Sequence, residues 1–402
     1  MSEELDTEML IIGKPEIRRH GKDAVVFVDY LLNDNRNHLW FSVSKRYEEF
    51  LVTENADAFV IGLLLLAMKN GKSIQVKAPM SRKLYYSLTH YVIPALNLAN
   101  PEWKPVKIEA SGGLTSNDLN EGGVAGIGIS CGVDSLCTVI DHLDCEREFE
   151  IKYFTFLNAG SHGQMGGDSA RKVFLDRLGL VESFAEQVKI PIIAVDSNIN
   201  EILLMNHQQT HTVRDVACVL NLQKLFRNYY YASAYRFDYF KMNAHDTAGY
   251  DLLLCSMLST ESTTFCSSVS QYTRVERTKM VSDYEPSYSH LNVCTSSSRT
   301  GEVRNCSVCP KCLRTQLTLD LLGRLHFYRD VFDRAKYMKN RNKFIASVLI
   351  KKKGDPISQE IMDLMKSTRF RIPFSARLYS CVLVARERVK NIIKQVARDR
   401  RL

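Results

Sequence analysis

A short polar turn, "SCGVDS" at residues 130–135, stands between the apolar run "VAGIGI" and the helical pattern "VDSLCTVIDHL". A strand that passes directly into a helix leaves the first N–H groups of the helix unpaired, and such groups bind anions. Gly132 would let the backbone approach a phosphate, and the hydroxyls of Ser130 and Ser135 add donors. The turn has neither the lysine nor the spacing of a P-loop. The spacing predicts a phosphate site; a serine-capped turn without a ligand is the alternative.

A second chemical motif is a group of four cysteines within 19 positions, namely Cys294, Cys306, Cys309 and Cys312. Two consecutive spacings of two residues bring three thiolates around one turn, and the fourth completes a tetrahedron. This pattern predicts a structural Zn²⁺ site in which all four ligands come from the protein. An iron–sulfur cluster is the alternative.

The turn at residues 130–135 resembles the Ser-Gly-Gly-x-Asp-Ser signature of the PP-loop ATP pyrophosphatases, with Cys131 in place of the first glycine. This resemblance implies an adenine nucleotide alpha hydrolase-like (HUP) domain that adenylates a carbonyl or carboxylate and releases pyrophosphate, which needs Mg²⁺. It also implies catalytic roles for Ser130, Asp134 and Ser135. The residues implied to bind ATP are Ser130, Cys131, Gly132, Val133, Asp134 and Ser135.

A PP-loop domain followed by a Cys-x₂-Cys-x₂-Cys motif is similar to the 7-cyano-7-deazaguanine synthase family over about residues 123–322. The resemblance implies an ATP-dependent C–N ligase of queuosine biosynthesis that converts an acid and ammonia into a nitrile. The turn "NAGSHG", the long gap between Cys294 and Cys306 and the flanking domains point to another acid or to transfer of the deazapurine to a macromolecule. Alternatives are a tRNA sulfurtransferase, an asparagine-synthetase-like amidotransferase and a degenerate nucleotide-binding or RNA-binding module. The amidotransferase is disfavoured because the chain does not open with Met-Cys.

Polar residues at the ends of the next two strands extend the predicted site. In the family, backbone groups after the second strand hold adenine, which makes Asn158 and Gly160 the candidates here. Asp196 ends the third strand and is a candidate Mg²⁺ ligand, with a helix cap as the alternative. His162 and His211 are candidate bases.

Cations are expected near the α-phosphate, because negative charge builds there in the transition state. "QYTRVERTKMVSDYEPS" offers Arg274, Arg277 and Lys279. Of these, Lys279 and Arg274 are the candidates for this role, against the alternative of plain surface charges. Arg314, two residues beyond the last cysteine, is a further candidate phosphate or substrate contact.

Elements that alternate between strand and helix must position these residues. Strands at "VAGIGIS", "IKYFTFLNAG" and "PIIAVDSN" alternate with helical patterns. A long helix from about Thr212 to Ala234, the stretch "FDYFKMNA", a helix near "GYDLLLCSMLS" and a strand near "TTFCSSV" continue the alternation. This rhythm predicts an α/β, doubly wound, mostly parallel sheet with ligands at the carboxyl ends of its strands.

Three domains are predicted. Residues 1–115 form an α+β domain with one helix that closes on Gly71 and another that starts at the N-cap residue Ser81. The polar segment Ser111–Gly123 separates it from the PP-loop domain with its zinc knuckle at residues 116–322. Residues 323–402 form a basic helical region with a loop at Ile350–Ser358.

Charge is concentrated at the C-terminal end. Residues 321–402 contain 21 Lys and Arg against 7 Asp and Glu, whereas the whole chain has a net charge of +8. This excess favours an RNA or protein acceptor, with a solvated helical surface as the alternative. A homodimer is also considered.

The composition also bears on location. The longest apolar stretch, "AFVIGLLLLAM", has 11 residues, whereas a bilayer span needs roughly 20, so a buried helix is expected. An odd count of eleven cysteines and the absence of a secretory pattern favour a reducing cytoplasm.

Overall fold

A computed structural model describes residues 9–399 except residues 121, 147, 164, 295–303 and 353. The chain divides into two compact units, each of which is discontinuous in sequence. Unit 1 comprises Met1–Ser130 and Asp141–Gln271, and unit 2 comprises Cys131–Ile140 and Tyr272–Leu402. These units do not coincide with the predicted boundaries near residues 115 and 322.

Unit 1 contains all thirteen strands that the described residues form. They are β1 (Leu10–Ile12), β2 (Glu16–His20), β3 (Asp23–Leu32), β4 (Asn35–Ser44), β5 (Ile74–Val76), β6 (Met80–Ser81), β7 (Ile108–Glu109), β8 (Leu114–Thr115), β9 (Val124–Gly128), β10 (Ile151–Leu157), β11 (Ile192–Ser197), β12 (Phe226–Ala232) and β13 (Thr264–Ser268).

Fourteen α-helices are formed by the described residues. They are α1 (Asp57–Asn70), α2 (Arg82–Ser87), α3 (Ile93–Ala99), α4 (Val133–Asp141), α5 (Gly167–Val188), α6 (Ile199–Leu203), α7 (His207–Leu220), α8 (Asp251–Met257), α9 (Arg274–Ser282), α10 (Ser287–His290), α11 (Pro310–Leu321), α12 (Arg334–Lys351), α13 (Pro356–Ser367) and α14 (Phe374–Asp399). Helix α4, except for Asp141, and helices α9–α14 belong to unit 2.

The main sheet of unit 1 runs in the order β13-β12-β9-β10-β11-β4-β3-β1-β5-β7. Its first five strands are mutually parallel. Strand β4 pairs antiparallel with β11, so the strands before residue 115 continue the same sheet. The predicted α/β class with a large, mostly parallel sheet is therefore confirmed.

The five parallel strands have the arrangement typical of doubly wound folds. Counted from β9 as the first strand, their order is fifth, fourth, first, second and third. The strand order reverses between β9 and β12, and ligands of open α/β sheets bind at the carboxyl ends of strands at such a point. The chain leaves β9 there through Ile129 and Ser130.

Local signals in the first hundred residues place two helices correctly. Helix α1 is buried along most of its length and ends at Gly71, whose φ of 65° allows the left-handed turn. Helix α2 begins after Ser81, whose side chain accepts a hydrogen bond from Leu84 N at 3.1 Å. Both predicted helix boundaries are confirmed.

The predicted long helix from Thr212 to Ala234 is wrong in its second half. Helix α7 ends at Leu220, and Phe226–Ala232 form β12, which pairs with β9 and β13. The residues of this strand, "FRNYYYA", do not alternate between apolar and polar types, and their burial has no period of two, so the sequence lacks the usual strand signal. "FDYFKMNA" contains only a short 3₁₀ turn at Phe237–Tyr239.

Unit 2 is helical in its described residues. Leu317 of α11, Tyr337 and Ile345 of α12, Ile361 of α13 and Ala376 of α14 lie in its core. The predicted helical character beyond Leu313 is confirmed. Among the described residues of the chain, no helix combines the length and the apolar character needed to cross a bilayer.

Candidate functional site

The loop before α4 adopts a conformation that favours glycine. Cys131 has a φ of 56° and is only 1% exposed. Its carbonyl accepts a hydrogen bond from Asn292 N at 2.8 Å, and the carbonyl of Gly132 accepts one from Leu136 N at 3.0 Å. Burial raises the pKa of the Cys131 thiol to about 12, so it stays protonated at neutral pH. Ser130, which precedes it, is exposed.

Asp134 stands on the first turn of α4 and binds two arginines of α9. Its Oδ1 lies 2.5 Å from Nη1 of Arg274 and 2.7 Å from Nη1 of Arg277. Burial alone would raise the pKa of Asp134, but the two guanidinium groups outweigh burial and lower it. Arg277 is 1% exposed and also donates to the carbonyl of Tyr272 at 3.2 Å.

Helix α9 is fixed at its own start. The side chain of Thr273 accepts from Glu276 N at 3.1 Å, and the Glu276 carboxylate accepts from Thr273 N at 2.7 Å, which completes a capping box. Arg274 N donates to Glu360 of α13 at 2.8 Å. These contacts orient the face of α9 that carries Arg274 and Arg277.

Two further cations come from the first turns of α11. Lys311 lies within electrostatic range of Asp134, Arg274 and Arg314. Loss of water around its ammonium, and then the neighbouring Arg314, lower the pKa of Lys311, although the side chain keeps an exposed surface. Two arginines thus bind Asp134, Lys311 lies within electrostatic range of it, and Arg314 lies near Lys311.

The other predicted residues of this region separate into two groups. Ser135 is buried on α4 and donates to the carbonyl of Gly132 at 3.3 Å, and Val133 is buried at the first position of the helix. Lys279 is exposed and lies five residues beyond Arg274, on the side of α9 opposite its buried face. The structure brings Ser135 to the loop and leaves Lys279 on a solvent-facing surface.

The four cysteines form a compact cluster in unit 2. The sulfur atoms of Cys294, Cys306, Cys309 and Cys312 all lie within 4.8 Å of one another. Cys309 N donates to the sulfur of Cys306 at 3.3 Å, and Cys312 N donates to the sulfur of Cys309 at 3.5 Å. Although burial opposes ionisation, the backbone N–H groups of Val308 and Cys309 help to lower the pKa of Cys306 to about 7. The cluster could hold a metal ion such as zinc.

Asn305 connects the two chain segments that supply the cysteines. Its Oδ1 accepts hydrogen bonds from the backbone N of Val293 and Cys294, at 2.8 and 3.1 Å. Its Nδ2 donates to the carbonyls of Leu291 and Val331, at 2.9 and 3.0 Å. Asn305 is 1% exposed, and all of its side-chain hydrogen-bonding groups serve to position Cys294 against the segment that begins at Cys306.

The cysteine cluster and the cation group share one helix. Cys309 caps α11, Cys312 lies in its first turn, and Lys311 and Arg314 flank Cys312. Gln316 donates to the carbonyls of Ser307 and Cys312, at 3.0 and 3.1 Å, and thereby holds the cysteine loop against the start of the helix. A metal bound by the cysteines would therefore fix the two cations of α11.

In unit 1, Asn158 and Asp196 meet at the ends of adjacent parallel strands. Asn158 Nδ2 donates to Asp196 Oδ1 at 2.6 Å, and Arg171 Nε donates to Asp196 Oδ2 at 3.1 Å. Arg171 also pairs with Glu201 at 2.6 Å. Asp196 thus already has a cationic partner, which makes it a poor free ligand for Mg²⁺. This contact also differs from the helix cap that was considered as the alternative role of Asp196.

Gly160 lies where no side chain would fit. It has a φ of 114°, and a Cβ atom there would come within 2.8 Å of both Arg214 Nη1 and His207 Cδ2. Arg214 is fully buried and donates to Asn200 Oδ1 at 2.6 Å. Gly160 therefore permits close packing of this polar cluster, whereas its predicted contact with adenine stays a prediction.

His211 occupies the centre of a hydrogen-bonded chain in unit 1. Its Nε2 lies 3.1 Å from Asp246 Oδ1, and its Nδ1 lies 2.5 Å from the hydroxyl of Tyr231. When Asp246 accepts a hydrogen bond from Nε2–H, the lone pair of Nδ1 accepts one from the Tyr231 hydroxyl. Both ring nitrogens of His211 thus bind protein groups, and its role as a base stays a prediction. His162 instead packs against Phe156 and Phe174, and burial lowers its pKa to about 4.

Some of these residues had a weak signal in the sequence, and others had none. Lys311 lies inside the cysteine motif, where its spacing from the ligands could have indicated it, and Arg277 lies one turn beyond Arg274. Asn305 precedes a cysteine and resembles any loop asparagine. Tyr231 and Asp246 come from a strand and a loop that only the fold brings to His211.

Comparisons of the chain with protein-family models, with curated proteins and with solved structures find no significant match.

Proposed function

We propose that this protein is an ATP-dependent adenylating enzyme of the PP-loop, HUP-fold class that converts ATP to AMP and pyrophosphate and forms a C–N bond on the activated acid. One observation carries the proposal. Arg274 and Arg277 bind Asp134 on the first turn of α4, and Lys311, which has Arg314 near it, lies within electrostatic range of Asp134. A group of cations beside the start of a helix is suited to a polyphosphate.

The roles of these groups follow from where charge develops. When the bond between the α- and β-phosphates breaks, negative charge grows on the leaving pyrophosphate, and fixed cations lower the barrier. Asp134 holds Arg274 and Arg277 in place before ATP arrives, so little reorganisation is needed. Ser130 and the backbone N–H groups of Gly132 and Val133 would donate to the phosphates. Mg²⁺ would enter with the nucleotide and be held mainly by its phosphates.

Zinc is the metal that we propose for the four cysteines. Four thiolate ligands suit tetrahedral Zn²⁺, and a fully ligated ion has no open position for substrate. The ion would therefore support the fold rather than take part in chemistry. Its place at the start of α11 would hold Lys311 and Arg314 toward Asp134.

Two properties of the chain support the remaining parts of the proposal. The parallel strand order reverses beside β9, the strand that precedes the loop. The chain's eleven cysteines are all free thiols, which supports a cytoplasmic location. The two substrates are proposed by class only. The acid is a carboxylate, with a deazapurine acid as the first candidate, and the nucleophile is ammonia or another amine.

The basic helices α12–α14 support a macromolecular acceptor as the second candidate. The 14 net positive charges of residues 321–402 would attract RNA or an acidic protein surface. Addition of total tRNA to a reaction with ATP separates the alternatives. AMP formation that requires tRNA indicates a tRNA-modifying enzyme, and AMP formation with a small acid and ammonia alone indicates the ligase.

Release of pyrophosphate tests the proposal directly. The purified protein is incubated with α-³²P-labelled ATP, Mg²⁺, ammonium and a panel of aromatic and heteroaromatic acids, and AMP is separated from ADP. AMP with equimolar pyrophosphate is expected. ADP as the product, or ATP binding without turnover for every acid and for tRNA, would count against an adenylating enzyme.

A further inference from the structure

A small aromatic pocket lies at the carboxyl ends of β12 and β13, entirely within unit 1. It is a shallow, half-open depression lined by residues that include Ser233, Tyr235, Phe237, Phe240 and Asp251. Phe237 and Phe240 are 50% and 45% exposed. Exposed aromatic rings around a concave surface are typical of ligand sites and are uncommon on inert loops.

Asp251 is a buried carboxylate at this pocket and has no cationic partner. It is 2% exposed, and among the residues that the structure describes no Lys, Arg or His nitrogen lies within ion-pair distance of it. Its oxygens accept hydrogen bonds from the hydroxyl groups of Ser233, at 2.8 and 3.0 Å, and Ser267, at 3.2 Å. The backbone N–H of Leu252 and the more distant His211 also favour its charged form. A carboxylate offers about four acceptor positions, so capacity for a further donor remains.

The other charged side chain that lines the pocket is paired with a neighbour outside it. Arg236 lines it as well, but its Nε and Nη2 bind the two oxygens of Asp238, at 2.6 and 2.5 Å. The pocket therefore presents aromatic rings and one carboxylate that forms no ion pair among the described residues. Aromatic faces attract cations, and a buried carboxylate gains most from a partner of opposite charge.

We propose that this pocket binds a small organic cation, such as a protonated amine carried on an apolar or aromatic body. The ammonium would pair with Asp251, and the body would lie against Phe237 and Phe240. This proposal does not depend on ATP chemistry, because all residues that carry it lie in unit 1 and binding can be measured without nucleotide.

Titration of the full-length protein with three matched probes tests this inference. Benzylamine is the cation, benzyl alcohol is its neutral counterpart, and benzoate is the anion, and binding is followed by calorimetry or ligand-observed NMR. Benzylamine should bind about tenfold or more tightly than benzyl alcohol, and benzoate should bind least. Equal affinities for the amine and the alcohol, or a preference for benzoate, would overturn the proposal.

Variants locate the site. Asp251→Asn keeps a side chain that can bond Ser233 and should reduce the affinity for benzylamine to that for benzyl alcohol. Phe237→Leu should lower the affinity for benzylamine by about threefold or more through loss of the cation–π contact. Phe149→Leu alters a phenylalanine of unit 1 that is 41% exposed but does not line the pocket, and should leave affinity unchanged.

The variants also separate a ligand site from a structural anchor. Circular dichroism shows whether Asp251→Asn remains folded. If it unfolds, the comparison of Phe237→Leu with Phe149→Leu still shows whether benzylamine binds in the pocket. Equal effects of these two substitutions on benzylamine would show that the pocket is not the binding site.

Discussion

The carboxylate of Asp134, which is 24% exposed, and the guanidinium of Arg277, which is 1% exposed, form an ion pair with 2.7 Å between Oδ1 and Nη1. Arg274 approaches the same oxygen to 2.5 Å, so one carboxylate oxygen orients two arginines. In the proposed site, Asp134 would be a positioning residue and Arg274 would contact phosphate, whereas Arg277, which is 1% exposed, would support Asp134 from the protein interior.

The first prediction concerns this ion pair. Arg277→Ala should destabilise unit 2 by about 2 kcal/mol, because it removes a hydrogen bond to a charged group and weakens the charge compensation of a partly buried carboxylate. Urea unfolding measures this loss. In a double-mutant cycle, Asp134→Asn combined with Arg277→Ala should cost less than the sum of the two single changes. Additive costs would show that the two side chains do not interact energetically.

The second prediction concerns Cys131. Cys131→Gly should leave ATP cleavage unchanged or improved, because glycine is the residue of the PP-loop signature and tolerates the φ of 56° without strain. Cys131→Ala is the matched control, since it removes the thiol and keeps a side chain at the strained position. Pyrophosphate release and thermal unfolding are measured for both. A loss of activity shared by both variants would assign the thiol a role that the loop geometry does not supply.

The third prediction compares two lysines of unit 2. Lys311→Ala should lower AMP formation by about tenfold or more, because Lys311 lies within electrostatic range of Asp134 and Arg274. Lys279→Ala should change it by less than about twofold, because Lys279 lies on the opposite, exposed side of α9 and surface substitutions have small effects. Steady-state rates with saturating ATP are the measurement. The reverse ranking would support the catalytic role predicted for Lys279 from sequence.

The fourth prediction concerns the cysteine cluster. The purified protein should contain one zinc ion per chain, and Cys309→Ser should lose it. Asn305→Ala should weaken zinc binding by about ten- to a hundredfold, as other outer-shell contacts do, because it releases the backbone at Cys294. The control is Asn342→Ala on α12, whose exposed side chain contacts Ser375. Metal analysis and competition with a chelating dye provide the readout.

Removal of the metal should also affect the proposed phosphate site. Chelation is expected to lower AMP formation, because α11 is capped by Cys309, contains Cys312 and also carries the cations Lys311 and Arg314. Restored activity on addition of Zn²⁺ is the expected outcome. Full activity of the metal-free protein would show that the proposed phosphate site does not depend on the metal.

The fifth prediction concerns acid stability. Burial lowers the pKa of His207 to about 3, from an ordinary value of 6.5. Between these pH values the unfolded chain binds a proton that the folded chain excludes, so the stability that His207 contributes is present above pH 6.5 and is lost as the pH falls. The loss approaches about 1.4 kcal/mol per pH unit.

A substitution isolates this effect. His207→Gln cannot take up the proton, so its stability should fall less steeply below pH 6.5 than that of the unaltered protein. The difference matters because Asp215 and Asp251, whose pKa values burial raises to about 6, change stability in the opposite direction over part of the same range. Denaturant unfolding at several pH values gives the slopes. Parallel slopes for the two proteins would show that His207 titrates normally.

Patterns of local sequence predicted many single elements. The end of α1 at Gly71 and the start of α2 at Ser81 follow from residue types that act on their own neighbourhood. The cysteine spacing likewise predicted a cluster that the structure brings together. Strand β12 was predicted as helix because its residues, "FRNYYYA", lack the alternation of apolar and polar types by which a strand is recognised.

The sequence by itself determined the small turn before α4, the four cysteines and the rhythm of the parallel strands, because these depend on residue type and spacing along the chain. Only the tertiary structure decided that Asp134 faces Arg277, that Lys311 belongs with them while Lys279 does not, and that strands before residue 115 continue the parallel sheet. The physical reason is distance along the chain. Asp134 and Arg277 are 143 residues apart, and no local preference specifies a contact of that separation. The turn is thus a feature of local sequence, whereas its charged surroundings are a product of the fold.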